Sequence, residues 1–102
     1  MYQGETITTT ISDLPVPVSE IRNLYIIFKQ HSRVILEKTL ADCSIDSETE
    51  TIACRLTQEE SLALPEGLIK RSIIAITNDG SRFESDPCIL ECAKTAKGEV
   101  IT

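Results

Sequence analysis

The chain has 102 residues, 41% of them apolar and 25% charged, and its sixteen acidic and ten basic residues give a net charge of −6. This length and composition predict one soluble globular domain with a single core. The negative charge argues against binding to nucleic acid or to an anionic membrane, because both need a basic face. The N-terminal residues lack the basic and apolar segments of a secretory signal.

The first half of the chain alternates between β-branched runs and turn residues. Residues 5–11 are dense in Thr and Ile and predict a first strand, and Pro15 and Pro17 predict an extended connection after it. Residues 23–30 predict a second strand with two faces. One face carries Leu24, Ile26 and Phe28, and the other carries Tyr25, Ile27 and Lys29. Because both faces are apolar, we expect this strand to be central, or its second face to be covered by a partner.

Two hairpins are predicted next. Gln30-His31-Ser32 is interpreted as a three-residue loop leading into a strand at residues 33–40. That register pairs Phe28 with Val34 and Ile26 with Leu36.

Residues 41–46 and 51–56 form the second predicted hairpin. Its register places Cys43 opposite Cys54 and Ile45 opposite Ile52.

A short helical turn near residues 57–64 is predicted to follow. Thr57 and Glu60 have the spacing of a capping box, in which each side chain accepts from the other residue's backbone N–H. Leu62 and Leu64 give the turn an apolar side, Pro65 ends it, and Gly67 permits a left-handed exit.

The last predicted hairpin joins an isoleucine-rich strand at residues 68–77 to a strand at residues 82–93 that bends at Pro87. Asp79-Gly80 is interpreted as a two-residue type I′ turn, which places Ile76 opposite Phe83. About seven strands at regular spacing predict an all-β sandwich of two antiparallel sheets. We assign the sandwich to residues 1–93 and a polar tail to residues 94–102.

The four cysteines favour structural roles. Cys43 and Cys54 are a candidate cross-strand thiol pair for which a disulfide is conceivable, whereas Cys88 and Cys92 lie roughly 13 Å apart along one strand, too far to bridge. The sequence has no CxxC pair and no Cys/His cluster, which argues against zinc. Without a signal peptide, we expect reduced thiols, and we interpret Cys88 and Cys92 as small buried hydrophobes.

No catalytic, cofactor-binding or metal-binding residue is predicted. His31, the single histidine, lies in a polar hairpin tip without a neighbouring nucleophile and orienting carboxylate. Asp46, Glu48 and Glu50 alternate around another tip but lack the glycine and ligand count of a calcium loop. We therefore expect a non-enzymatic protein.

An ordered set of motifs carries a family resemblance. LTQEESLALPEG at residues 56–67 precedes the Ile-rich strand and NDGSR, while LEKTL occupies residues 36–40. These motifs resemble the small immunoglobulin-like domain of phage and prophage tail or baseplate proteins of Gram-positive bacteria. The set is similar in particular to the N-terminal module of the upper baseplate protein family, in a pattern that does not include the four cysteines.

The resemblance implies an immunoglobulin-like sandwich that works by protein–protein contact in a symmetric virion assembly, without cofactor. Its partners would be other tail or baseplate proteins or copies of itself, and the chain would assemble in the host cytoplasm into the tail. Candidate interface residues are Tyr25 and Ile27 on the second strand and Ile69 and Ile73 on the long strand, whichever face the core leaves free. Two alternatives remain open: a module that binds host-surface carbohydrate, and a cytoplasmic assembly factor encoded by the prophage.

Overall fold

A computed structural model describes residues 1–12, 14–96 and 98. The described residues form eight strands, one α-helix, α1 (Gln58–Leu62), and two 3-10 turns, Val18–Glu20 and Leu40–Asp42. The strands are β1 (Ile7–Ile11), β2 (Ile21–Gln30), β3 (Arg33–Thr39), β4 (Cys43–Asp46), β5 (Thr51–Leu56), β6 (Gly67–Thr77), β7 (Arg82–Glu84) and β8 (Cys88–Cys92).

The strands form two antiparallel sheets. The smaller sheet has the order β1-β5-β4, and the larger has the order β3-β2-β6, with β7 and β8 both paired to β6. The chain crosses between sheets after β1, after β3 and, through α1, after β5. Two antiparallel sheets with crossing connections of this kind form the all-β sandwich that the sequence predicts.

The core fills the space between the sheets because apolar residues alternate along the central strands. Leu24, Ile26 and Phe28 of β2 are at most 1% exposed. They face a matching set from β5, in which Ile52 and Cys54 are fully buried. Phe28 is the one aromatic residue in the buried core cluster of the described chain, so aliphatic side chains supply most of the packing.

The hairpin between β2 and β3 differs from its prediction. Its loop has two residues, His31 and Ser32, with φ of 51° and 66°, which corresponds to a type I′ turn built without glycine. A bulge after Phe28 then changes the register, so that Phe28 lies opposite Leu36 and Ile26 opposite Lys38. The predicted pairs Phe28–Val34 and Ile26–Leu36 are therefore wrong.

The loop between β6 and β7 is one residue longer than predicted. Thr77 and Ser81 close a three-residue loop, and the Gly80 N–H donates to the Thr77 carbonyl at 3.0 Å. Gly80 has φ of 87°, as in a type I turn followed by a left-handed bulge residue. Phe83 consequently lies opposite Ala75 rather than Ile76.

The connection between β5 and β6 matches its prediction. The Thr57 hydroxyl accepts from the Glu60 N–H at 3.2 Å, and a Glu60 carboxylate oxygen accepts from the Thr57 N–H at 3.0 Å. Leu64 is 1% exposed, and Gly67 has φ of 117° at the start of β6. The helix thus closes one end of the sandwich.

The N-terminal residues close one lateral edge of the sandwich. Tyr2 forms a parallel bridge with Ala93, and the Gln3 N–H donates to the Ala93 carbonyl at 2.9 Å. The predicted polar tail, residues 94–102, falls partly outside the described residues, which end at 96 and 98.

Candidate interaction surface

The larger sheet has one side turned away from the smaller sheet, and we call this side the outer face. Every residue on the outer face of its two central strands, β2 and β6, retains solvent exposure. These residues are Asn23, Tyr25, Ile27, Lys29, Leu68, Lys70, Ser72, Ile74 and Ile76. A sheet surface of this apolar content is a candidate interaction site.

The centre of the outer face is apolar. Cross-strand pairing sets Tyr25 against Ile74 and Ile27 against Ser72, and Ile76 follows opposite Asn23. The Asn23 side-chain amide donates to the Tyr25 hydroxyl at 2.9 Å, which holds the phenol along the strand. The result is a contiguous half-buried apolar stripe across β2 and β6.

One end of the outer face is basic. Lys29 and Lys70 are direct cross-strand partners, and both are exposed. Leu68 and Ile89, which are 65% and 53% exposed, lie beside them with His31 around an open depression of about 510 Å³. We call this region the basic end of the outer face.

Of the four interface candidates, two lie on the outer face. Tyr25 and Ile27 are half-buried there. Ile69 and Ile73 point to the other side of β6: Ile69 is fully buried in the core, and the half-buried Ile73 packs against that core. The prediction of Ile69 and Ile73 as interface residues is therefore wrong, because the side of β6 that carries them faces the core.

Sequence reasoning missed the apolar residues that β6 does present on this face, namely Leu68, Ile74 and Ile76. The sequence predicts that alternate residues of β6 face opposite sides of the sheet, but both sets of alternate residues are rich in isoleucine. Lys70 and Ser72 could have identified the outward side of β6, because polar residues at alternate positions mark the solvent side of a strand.

The cysteine pair lies where the hairpin register predicts it. Cys43 is opposite Cys54, and all four cysteines carry free thiols. Burial, together with the neighbouring Cys54 thiol, raises the pKa of Cys43 to about 12. A protonated thiol is a poor nucleophile, so this pair offers no activated cysteine. Of the other two, Cys92 is buried, whereas Cys88 is exposed, contrary to its prediction.

Three of the polar residues singled out in the sequence, His31, Asp46 and Glu50, have structural roles in turns and connections. His31 occupies the β2–β3 turn. Asp46 accepts from the Glu48 N–H at 3.0 Å within the β4–β5 turn, and Glu50 accepts from the Val18 N–H at 2.8 Å. In the described part of the chain, no group of three or more His, Cys, Asp or Glu residues could hold a metal ion.

A second, smaller cleft opens between the sheets on the side of β7. It has a volume of about 210 Å³ and a mainly apolar lining that includes Ile11, Leu14, Pro15 and Phe83. Phe83 is 38% exposed there. Among the described residues that line this cleft, Glu84 is the one titratable group.

The fold and this surface define a class, an all-β sandwich of two antiparallel sheets with one open sheet face. Comparison with family models, with curated proteins and with solved structures found no match to the chain. No helix among the described residues is both long enough and apolar enough to cross a membrane.

Proposed function

We propose that this chain is a non-enzymatic structural module that works by protein–protein contact through its outer face. The observation that carries the proposal is the apolar stripe across the two central strands, whose side chains remain partly exposed on the outer face. Isolated exposed apolar residues are ordinary, but a contiguous set on one sheet face marks an interaction site.

The setting that we propose for this module is a phage or prophage tail or baseplate. Its support is the resemblance of the LTQEESLALPEG, LEKTL and NDGSR segments to immunoglobulin-like domains of such particles. The partners would then be other tail or baseplate proteins or copies of this chain, assembled in the host cytoplasm into the virion.

The test combines particle composition with two matched variants. Tail particles are purified after prophage induction from the strain that encodes the chain, and the chain is quantified by mass spectrometry. Ile74→Lys places a charge in the centre of the outer face, and Ala53→Lys places the same charge on the solvent side of β5, the central strand of the smaller sheet. Circular dichroism melts of both purified variants establish that each one folds.

We expect the wild type and Ala53→Lys at a fixed ratio to the other tail proteins, and Ile74→Lys to be absent from the particles. A chain abundant in the lysate but missing from particles would overturn the virion setting and favour the assembly factor. Saturable binding on a glycan array would instead favour the carbohydrate-binding alternative.

A further inference from the structure

We propose that the basic end of the outer face binds an acidic, apolar polypeptide segment of a partner protein, with a carboxylate placed between Lys29 and Lys70. This inference rests on the proposed function, because it names the chemistry of the partner that the outer face contacts.

The first observation is the position of the two lysines. Lys29 and Lys70 are direct cross-strand partners on the central strands of the larger sheet. Like charges at directly opposite positions of a sheet destabilise it. The chain has ten basic residues in total, yet it places two of them here, side by side.

The second observation is that the chain does not neutralise this pair. Within the described residues, the ion pairs are Lys38–Glu60 and Arg82–Glu84. Glu37 and Glu91 are the nearest carboxylates by register. Glu37 lies opposite Ile27, two residues from Lys29, and Glu91 lies opposite Leu68, two residues from Lys70. Neither forms an ion pair with the lysines, so a carboxylate from outside can contact both ammonium groups.

The third observation is the apolar surround. Leu68 and Ile89 flank Lys70 along and across the sheet, and Val34 lies opposite Lys29 and is 50% exposed. An occupant must therefore supply apolar side chains as well as a negative charge. An acidic segment with flanking aliphatic or aromatic residues meets both requirements, whereas a small anion would leave the apolar surround exposed.

Charge also argues against a second copy at this position. A symmetric stacking that lays β2 of one copy over β6 of the other brings Lys29 against Lys70 of that copy. Four ammonium groups would then share one layer of the interface, and like-charge contacts of this kind oppose association.

The experiment uses a random display library of twelve-residue peptides as its probe. The library is panned against the folded wild-type chain and against Lys70→Glu. The matched control is Arg55→Glu, which makes the same change of charge at an exposed position on β5. The best wild-type peptide is synthesised, its affinity for all three proteins is measured by calorimetry, and its site is mapped by NMR amide shifts.

We expect wild-type selections rich in Asp or Glu beside Leu, Ile, Val or Phe. The selected peptide should bind Lys70→Glu at least about tenfold more weakly than the wild type, and Arg55→Glu about as well as the wild type. Amide shifts should cluster around Lys29, Leu68, Lys70 and Ile89, and affinity should fall as salt is raised.

Several outcomes would overturn the inference. They are no enrichment of any peptide, enrichment of peptides without acidic residues, equal loss of affinity in Arg55→Glu, and amide shifts that map to the smaller sheet. Self-association of the wild type that Lys70→Glu changes would make a second copy the occupant. If any of these occurs while Ile74→Lys is still excluded from particles, the proposed function stands and only this inference fails.

Discussion

Asp79 illustrates how a single side chain stabilises a turn in this fold. Its carboxylate accepts from the Thr77 hydroxyl and, at 2.9 Å, from the Ser81 N–H. These hydrogen bonds, the one from Thr77 first, lower the pKa of Asp79 to about 2. Because the folded pKa lies below the unfolded value of about 3.9, ionised Asp79 stabilises the fold at neutral pH.

The pH dependence of stability follows from that sign. The contribution of Asp79 is complete above about pH 4 and is lost as the pH falls towards about 2. We expect Asp79→Asn to melt below the wild type at pH 6 and at nearly the wild-type temperature at pH 2. Melts from pH 2 to 6 measure this, with Asp86→Asn as the control for removing an exposed carboxylate. A constant difference across that range would contradict the assignment.

The capping box is the second residue-scale device. Thr57→Ala removes the hydroxyl that accepts from the Glu60 N–H, and we expect the free energy of unfolding to fall by about 1 kcal/mol. Urea unfolding measures the change. Thr8→Ala, at an exposed position on β1, makes the same substitution without a cap. Equal losses in the two variants would show that the cap is not the cause.

At the scale of elements, the β2–β3 hairpin keeps a turn that its residues do not favour. His31 and Ser32 both have positive φ, which costs L-residues energy that glycine avoids. We expect Ser32→Gly to raise the free energy of unfolding by about 0.5–1 kcal/mol. Ser47→Gly, in a turn where Ser47 has no positive φ, should give no gain. A loss in Ser32→Gly would mean that flexibility of the unfolded chain outweighs the relieved strain.

The strands that hold this turn explain why it is tolerated. β2 pairs with both β3 and β6, and Leu24, Ile26 and Phe28 bury one side of it almost completely. Each such side chain contributes about 1.5–3 kcal/mol on burial. The core therefore determines which side of β2 faces inward, and this sets the register between β2 and β3. The two-residue loop must then adopt the backbone conformation that this register requires.

Ion pairing links two elements across one end of the sandwich. Lys38 lies on the core side of β3, opposite Ile26, and pairs with Glu60 of α1. Burial alone would lower the pKa of Lys38, but the hydrogen bond and charge of Glu60 outweigh it, and the net direction is upward. The same helix thus supplies its own cap and a partner for a lysine that would otherwise be buried unpaired.

At the scale of the whole molecule, the core controls cysteine chemistry. Cys88 is exposed, whereas Cys54 and Cys92 are buried and the Cys43 pKa is raised to about 12. We expect Ellman's reagent at pH 8 to label one thiol rapidly in the native chain and the other three at the rate of unfolding. Cys88→Ser should remove the rapid phase. Two or more rapid thiols in the wild type would contradict this burial pattern.

The features of this protein that depend on neighbouring residues follow from the sequence alone. The Thr57–Glu60 cap, the left-handed Gly67, the Cys43–Cys54 register and the core face of β2 were all predicted, because capping distances and two-residue alternation are local rules.

The loop lengths of two hairpins, and which side of β6 faces the core, depend instead on contacts between distant parts of the chain. The β2–β3 and β6–β7 loops each differ by one residue from their predictions, because a bulge and a left-handed glycine absorb the mismatch. β6 carries isoleucine in both phases, so alternation could not say that Ile69 is buried while Ile74 faces outward. Burial of Ile69 in the core cluster settles that choice, since a strand places one set of alternate residues in the core and the other in solvent.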